Sequence, residues 1–294
     1  MVDEKETSIN VVYKENKEFR NSLLIIGGIT ATLFTVLFRM HGWAYNFTTD
    51  TQEWVAGALD LNICAMFYNG DADSWLLDIY PNAFWEFLYE NDYSLIGILG
   101  LVCLIFLIIG ITDKKRKPFV KYALFMLITA AITAGLIANV LFKGFWGRYR
   151  PRDTIYFEGL NTFFLILDPA WLIEPSSIGE GKSFPAGHPS AFTCYIVVFF
   201  MFNHPEVIVH LFGEYKDWKL KMCKVIKYFA FVVSFAGGIL MGLERVLEGG
   251  HFPSDVLWNF IFTYNISALM YYSIFKIPKF EKTKMAELLN LHFL

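Results

Sequence analysis

Charge is scarce in this chain. Only 18% of its 294 residues are Asp, Glu, Lys or Arg, against roughly a quarter in soluble domains. Cations are missing outright from residues 41–92, which hold nine acidic residues and no Lys or Arg. Cysteine is sparse and scattered: Cys64, Cys103, Cys194 and Cys223 support no disulfide framework and read as small apolar fillers. No soluble domain, low-complexity tract or convincing repeat is present. No clear small-residue cleavage site follows the first apolar run, so that run reads as a signal anchor. The basic runs are short and flank apolar ones, which points to topology and anionic-lipid contact and excludes a nucleic-acid site.

Apolar residues fill the chain instead, at 55% hydrophobic and 18% aromatic. A membrane-crossing helix needs about 20 predominantly apolar residues. Six runs approach that length, near 22–40, 94–111, 123–142, 188–203, 228–243 and 256–275. One such run can be a buried core helix. Six in a chain of this size predict an all-α integral membrane bundle of six transmembrane helices, with 1–294 as one domain and its core over 123–276. Lysine and arginine cluster at 5–20, 114–121, 216–227 and 276–284. Basic flanks stay in the cytoplasm. Both termini and the tail 277–294 are therefore expected inside the cytoplasmic membrane, and the loops after spans one, three and five outside. Residues 1–20 are expected to be loosely ordered. The long aromatic outer loop 41–93 is expected either to lay short helices near 52–66 and 82–90 on the outer leaflet, or to form a compact cap with its rings as core.

Three stretches on that outer side break the avoidance of cations or carry imidazoles. The first is "LFKGFWGRYRPRD", 141–153. Lys143 and Arg150 are seven residues apart, close to two helical turns, so the spacing predicts both on one helix face. Pro151 then limits the helix. The second is "KSFPAGHPSAF", 182–192, where Gly187 permits a tight turn and Pro189 suits the first turn of a helix. His188 thereby stands at a helix start, where free N–H groups favour an anion. The third is "LERVLEGGHFPSDVL", 243–257. Arg245 closes span five, His251 follows a glycine pair, and Asp255 is positioned to bond one ring nitrogen of His251 and leave the other free. Together the pieces supply cations, imidazoles and a carboxylate on one membrane face. Such a set can hold a tetrahedral oxyanion while one His attacks and another donates a proton. Phosphoryl transfer asks for this inventory, because its transition state spreads negative charge over three oxygens.

The spacing resembles the signature of the type 2 phosphatidic acid phosphatase (PAP2) superfamily over spans three to six. It reads here as Lys143–Arg150–Pro151, then Pro185–Ala186–Gly187–His188, then Glu244–Arg245–His251–Asp255. The wording "WGRYRP" and "GGHFPSDVL" is similar to the branch containing bacterial lipid A phosphatases. The resemblance implies a phosphohistidine on His251, oriented by Asp255, with His188 protonating the leaving alkoxide. Lys143, Arg150, Arg245 and the Gly187 N–H would hold the phosphoryl oxygens. It implies no cofactor and no metal, and the outer face shows no clustered carboxylate set. The implied partners are a lipid phosphate substrate and membrane lipids, with no obligate protein partner. Two positions depart from the pattern: Ala186 and Glu244 stand where the family carries Ser, and Ser183 or Ser190 is a candidate substitute hydroxyl.

Lipid A, a polyprenyl diphosphate and a glycerophospholipid phosphate all suit this inventory. A phosphotransferase using the same phosphoenzyme, or a non-catalytic lipid-phosphate carrier, are the alternatives. Arg148 and Arg152 are further candidates to extend the site. Glu248 reads as solvent-facing or paired with a nearby Arg, and Lys182 as a rim contact. His41 lies away from the motifs, and His204, His210 and His292 fall on the cytoplasmic side.

Overall fold

The computed structural model describes residues 2–288, with side chains described over 20–284. His292 and the end of the tail lie outside the described residues. Helix α1 (Val2–Arg39) is continuous, so the polar N-terminal segment extends the first span instead of lying loose. Residues 2–26 contain neither Pro nor Gly and carry several Glu and Lys, a composition that favours helix.

Among the described residues, four helices are long and apolar enough to cross a membrane: Arg20–Arg39 within α1, α4 (Asp92–Thr112), α5 (Pro118–Phe145) and α8 (Asp217–Leu247). A further span exists only as α6 (Ser190–Met201) and α7 (Pro205–Leu211), bent against each other by 76°. The break falls before Pro205, which lacks an N–H and pushes the preceding residue out of helical geometry. Helix α9 (Pro253–Leu269) covers the sixth expected run but does not qualify by length and composition. It carries Asn259, Thr263 and Ser267, all buried. By these criteria the described residues hold four spans, or five with the bent pair, against the six expected. The outward faces are apolar: Ile25, Ile29 and Leu33 on α1 and Leu101 and Ile111 on α4 are all exposed. Faces of that kind suit lipid tails and not water. The protein is a mostly helical, multi-pass membrane protein.

The stretch 41–93 forms a compact cap with one helix set apart from it. Strands β1 (His41–Asn46) and β2 (Thr51–Ala56) form an antiparallel hairpin with Trp43 opposite Trp54. Gly57 follows at φ 79° and opens α2 (Ala58–Ala65). The helix expected near 52–66 is thus a strand up to Ala56 and helical only from Ala58. Phe47, Tyr68, Trp75 and Phe157 stack into the core of the cap, with ring centroids 4.8–5.9 Å apart. Helix α3 (Ala83–Glu90) agrees with the helix expected over 82–90. Asn82 caps it by accepting from Phe84 N, and none of its residues is buried.

Candidate active site

The first motif sits where α5 ends. Its 131–141 stretch is π-helical, and Lys143 lies two residues beyond it. Nζ of Lys143 donates to Asn139 Oδ1 at 3.0 Å. The helix does not reach Arg150. Gly147 takes φ 77°, a left-handed conformation that suits glycine and ends a helix. Arg150 follows in extended backbone. The two cations therefore do not share a helix face; the chain turns at Gly147 and brings Arg150 back.

The second motif is a buried turn leading into α6. Ala186 is fully buried, with its methyl among the apolar residues of the cap. Its N–H donates to the Asp255 carbonyl at 3.2 Å, and its own carbonyl accepts from Asn259 at 2.9 Å. A Cβ built on Gly187 would lie 2.5 Å from both Lys143 Nζ and Asn139 Oδ1, so a side chain there would push both groups out of their present positions. Ser183 and Ser190 do not offer free hydroxyls. Ser183 Oγ donates to Asp255 Oδ2 at 2.6 Å, and Ser190 Oγ to the Gly187 carbonyl at 2.5 Å. His188 Nδ1 lies 2.7 Å from Asp92 Oδ2, the first residue of α4.

The third motif wraps the end of α8 into the start of α9. The N–H groups of Gly250 and His251 both donate to the Arg245 carbonyl, at 2.8 and 3.1 Å. Gly249, at φ 68°, fits beneath the Trp75 ring of the cap. His251 Nδ1 bonds the Ser183 carbonyl at 2.6 Å, while Asp255 Oδ2 is 4.0 Å away. The direct Asp255–His251 bond expected from the spacing is therefore not made. Asp255 is occupied by Arg148, by Ser183 Oγ and by the Phe252 N–H at the helix start, and it reaches the imidazole through Ser183. A carbonyl only accepts, so Nδ1 carries the proton and Nε2 holds the free lone pair.

These elements bring Lys143, Arg150, Arg245 and His188 around His251. Burial first, and then those three cations and the second ring, hold the His251 imidazole well below its ordinary range. It is neutral near pH 7. Arg150, Arg245, Lys182 and Asp92 all act electrostatically on Lys143. Arg245 is itself clamped: Nε and Nη2 donate to Glu244 at 2.5 Å, Nη2 also to Glu248, and the Tyr89 ring stacks 4.1 Å from the guanidinium. Glu244 thus neutralises part of the site's charge where the family pattern has a hydroxyl.

Arg148 is not among the groups that face this cluster. It is fully buried between Asp60 (2.8 Å) and Asp255 (2.5 Å), and it also donates to Ser254 Oγ from Nη1 and to the Phe164 carbonyl from Nε. Its expected role at the phosphate is replaced by an internal tie between cap and bundle. Burial pushes the Asp60 carboxyl up, against the pull of Arg148. Arg152 pairs with Glu248 at 3.0 Å. Asp60, Asp92, Asn139 and the Ser183 carbonyl went unnoticed in the sequence. Asp92 carried a signal, as an acid in the first turn of a span on the side of the motifs. Asp60 is one of nine acids in a loop and carried none.

The sequence model of the PAP2 superfamily matches residues 119–279. A lipid A 4′-phosphatase of Francisella tularensis subsp. novicida is 28% identical over 222 residues, 74% of this chain and 86% of that protein. A lipid A 1-phosphatase of Rhizobium etli is 26% identical over 150 residues, 51% of this chain and 50% of its own length. No solved structure matches. The matched stretch contains all three motifs, while residues 41–79 of the cap, Asp60 among them, and Asp92 lie before it. More than half of the chain, including every motif around His251, follows one family's pattern: the chain belongs to the PAP2 superfamily.

Proposed function

We propose that the protein is a lipid phosphate phosphatase working through a phosphohistidine on His251, with its site on the extracytoplasmic side of the cytoplasmic membrane. Nε2 of His251 attacks phosphorus, and the ester bond breaks toward the leaving oxygen, which takes a proton from His188. Water then attacks the phosphohistidine, gives its proton to His188, and the P–N bond breaks back to His251. Lys143, Arg150, Arg245 and the Gly187 N–H hold the phosphoryl oxygens. Asp255 steadies His251 through Ser183. Preorganised donors of this kind supply the largest share of such rate enhancements. The observation that carries the reading is the buried His251 ring, its Nδ1 bonded to the Ser183 carbonyl at 2.6 Å, amid three cations.

The relatives are named lipid A phosphatases, and a phosphomonoester on a lipid A sugar is the substrate this reading favours over a polyprenyl diphosphate or a glycerophospholipid phosphate. The test is phosphate release from lipid A by purified protein in detergent, wild type against His251→Gln. Loss of at least about 1,000-fold is expected, because removing a nucleophile leaves only binding and electrostatics. Release that survives the substitution sinks the proposal.

A further inference from the structure

One buried acid at the site belongs to none of the motifs. Asp92 opens α4, lies before the stretch matched by the family, and is 2% exposed. Its Oδ2 is 2.7 Å from His188 Nδ1, and its Oδ1 is buried with no hydrogen-bond partner among the described residues. A carboxylate taken out of water is costly unless paired. His188 is the one side chain hydrogen-bonded to it among the described residues. The same ring is flanked by Tyr89 and Tyr93, with centroids 4.9 and 6.3 Å away. A carboxylate accepts, so Nδ1 of His188 keeps a proton, and Nε2 is the atom left to exchange protons with substrate.

We propose that Asp92 is a positioning residue for proton transfer: it fixes the ring and tautomer of His188 so that Nε2 faces the leaving oxygen. The inference rests on the roles given above to His251 and His188. In the first step the P–O bond breaks with its electron pair to the leaving oxygen, which takes the Nε2 proton. In the second, Nε2 recovers a proton from the attacking water. Nδ1 stays protonated against Asp92 throughout. A sugar alkoxide is a strongly basic leaving group and needs that proton. A p-nitrophenolate leaves readily without it. In the first step a residue that serves proton donation must therefore matter for the first substrate and not for the second. The second step is common to both, so kcat/KM, which reports the first step alone, separates them.

The test is kcat and KM for phosphate release in detergent from lipid A and from an alkyl-tailed p-nitrophenyl phosphate. Wild type, Asp92→Asn, His188→Asn and the double variant are compared. Asp92→Asn is expected to lower kcat/KM on lipid A roughly 10- to 100-fold and to change kcat/KM on the aryl phosphate less than about threefold. It should add nothing to His188→Asn. Should Asp92→Asn not fold, Asp92→Glu displaces the carboxylate by one methylene and is expected to show the same split. Equal losses of kcat/KM on both substrates mean a structural role and overturn the inference, as does an unchanged kcat/KM on lipid A. Failure of the underlying mechanism looks different: His251→Gln would then release phosphate from both substrates.

Discussion

A nucleophilic imidazole must be unprotonated, and a phosphate site must be cationic. At His251 burial goes furthest toward the first condition, and the second reinforces it. The ring is 1% exposed, and Lys143, Arg150 and Arg245 repel the proton it would otherwise take. The acid limb of kcat/KM that reports His251 is therefore expected below the ordinary imidazole range near 6.5, so this group does not limit activity between pH 7 and pH 6. Lys143→Gln removes one repelling charge and should move that limb to higher pH, whatever it does to the absolute rate. A pH–rate series on both proteins checks it, and a limb that stays put or moves down contradicts the electrostatic account. The residues of this arrangement were legible in the sequence because each motif is local: four residues from His251 to Asp255, six from Arg245 to His251. The bonds were not. His251 takes its tautomer from the carbonyl of Ser183, 68 residues away, and backbone carbonyls leave no trace in residue identity.

Element geometry decided what the spacing alone misjudged. Seven residues from Lys143 to Arg150 imply two turns only if the helix continues, and Gly147 at positive φ stops it. The extended stretch that follows carries Arg148 inward instead, where it joins α2 through Asp60 to the start of α9 through Asp255 and Ser254. Asp60 also accepts from Ser254 N and Oγ, at 3.0 and 2.5 Å. One guanidinium thus stands between two fully buried carboxylates, and removing it leaves both without their counter-ion. Arg148→Met is expected to cost about 3–5 kcal/mol, read as a lower unfolding midpoint in detergent. Adding Asp60→Asn should recover part of the loss, since one of the two stranded charges disappears. An unchanged midpoint in the single variant, or a double variant as unstable as the sum, contradicts this tie between cap and bundle. An Arg among four cations beside a membrane span gives no sequence signal of such burial; the surface reading and the internal one have the same composition.

Across the whole molecule, α5 and α9 run in opposite directions between two polar clusters. The site gathers at the end of α5 and the start of α9. Tyr122 near the start of α5 and Tyr271 just past α9 meet at the far end, about 30 Å away by helical rise. There both hydroxyls donate to Glu281 of α10 (Ile277–Leu288), at 2.8 and 3.2 Å. Burial pushes this carboxyl up from 4.5 to about 8, with the two tyrosines opposing. A group whose folded value is raised favours the fold fully below its unfolded value, and that contribution is lost as pH climbs to the folded one. The unfolding midpoint of the protein in detergent is therefore expected to fall between pH 4.5 and pH 8, by an amount equivalent to roughly 5 kcal/mol at most. Glu281→Gln keeps an acceptor for one tyrosine and removes the proton, so its midpoint should lose this dependence and exceed wild type above pH 8. Parallel pH profiles for the two proteins mean that Glu281 is already ionised in the fold. In that case a cation at this end of the bundle, such as nearby Lys121, compensates the buried charge.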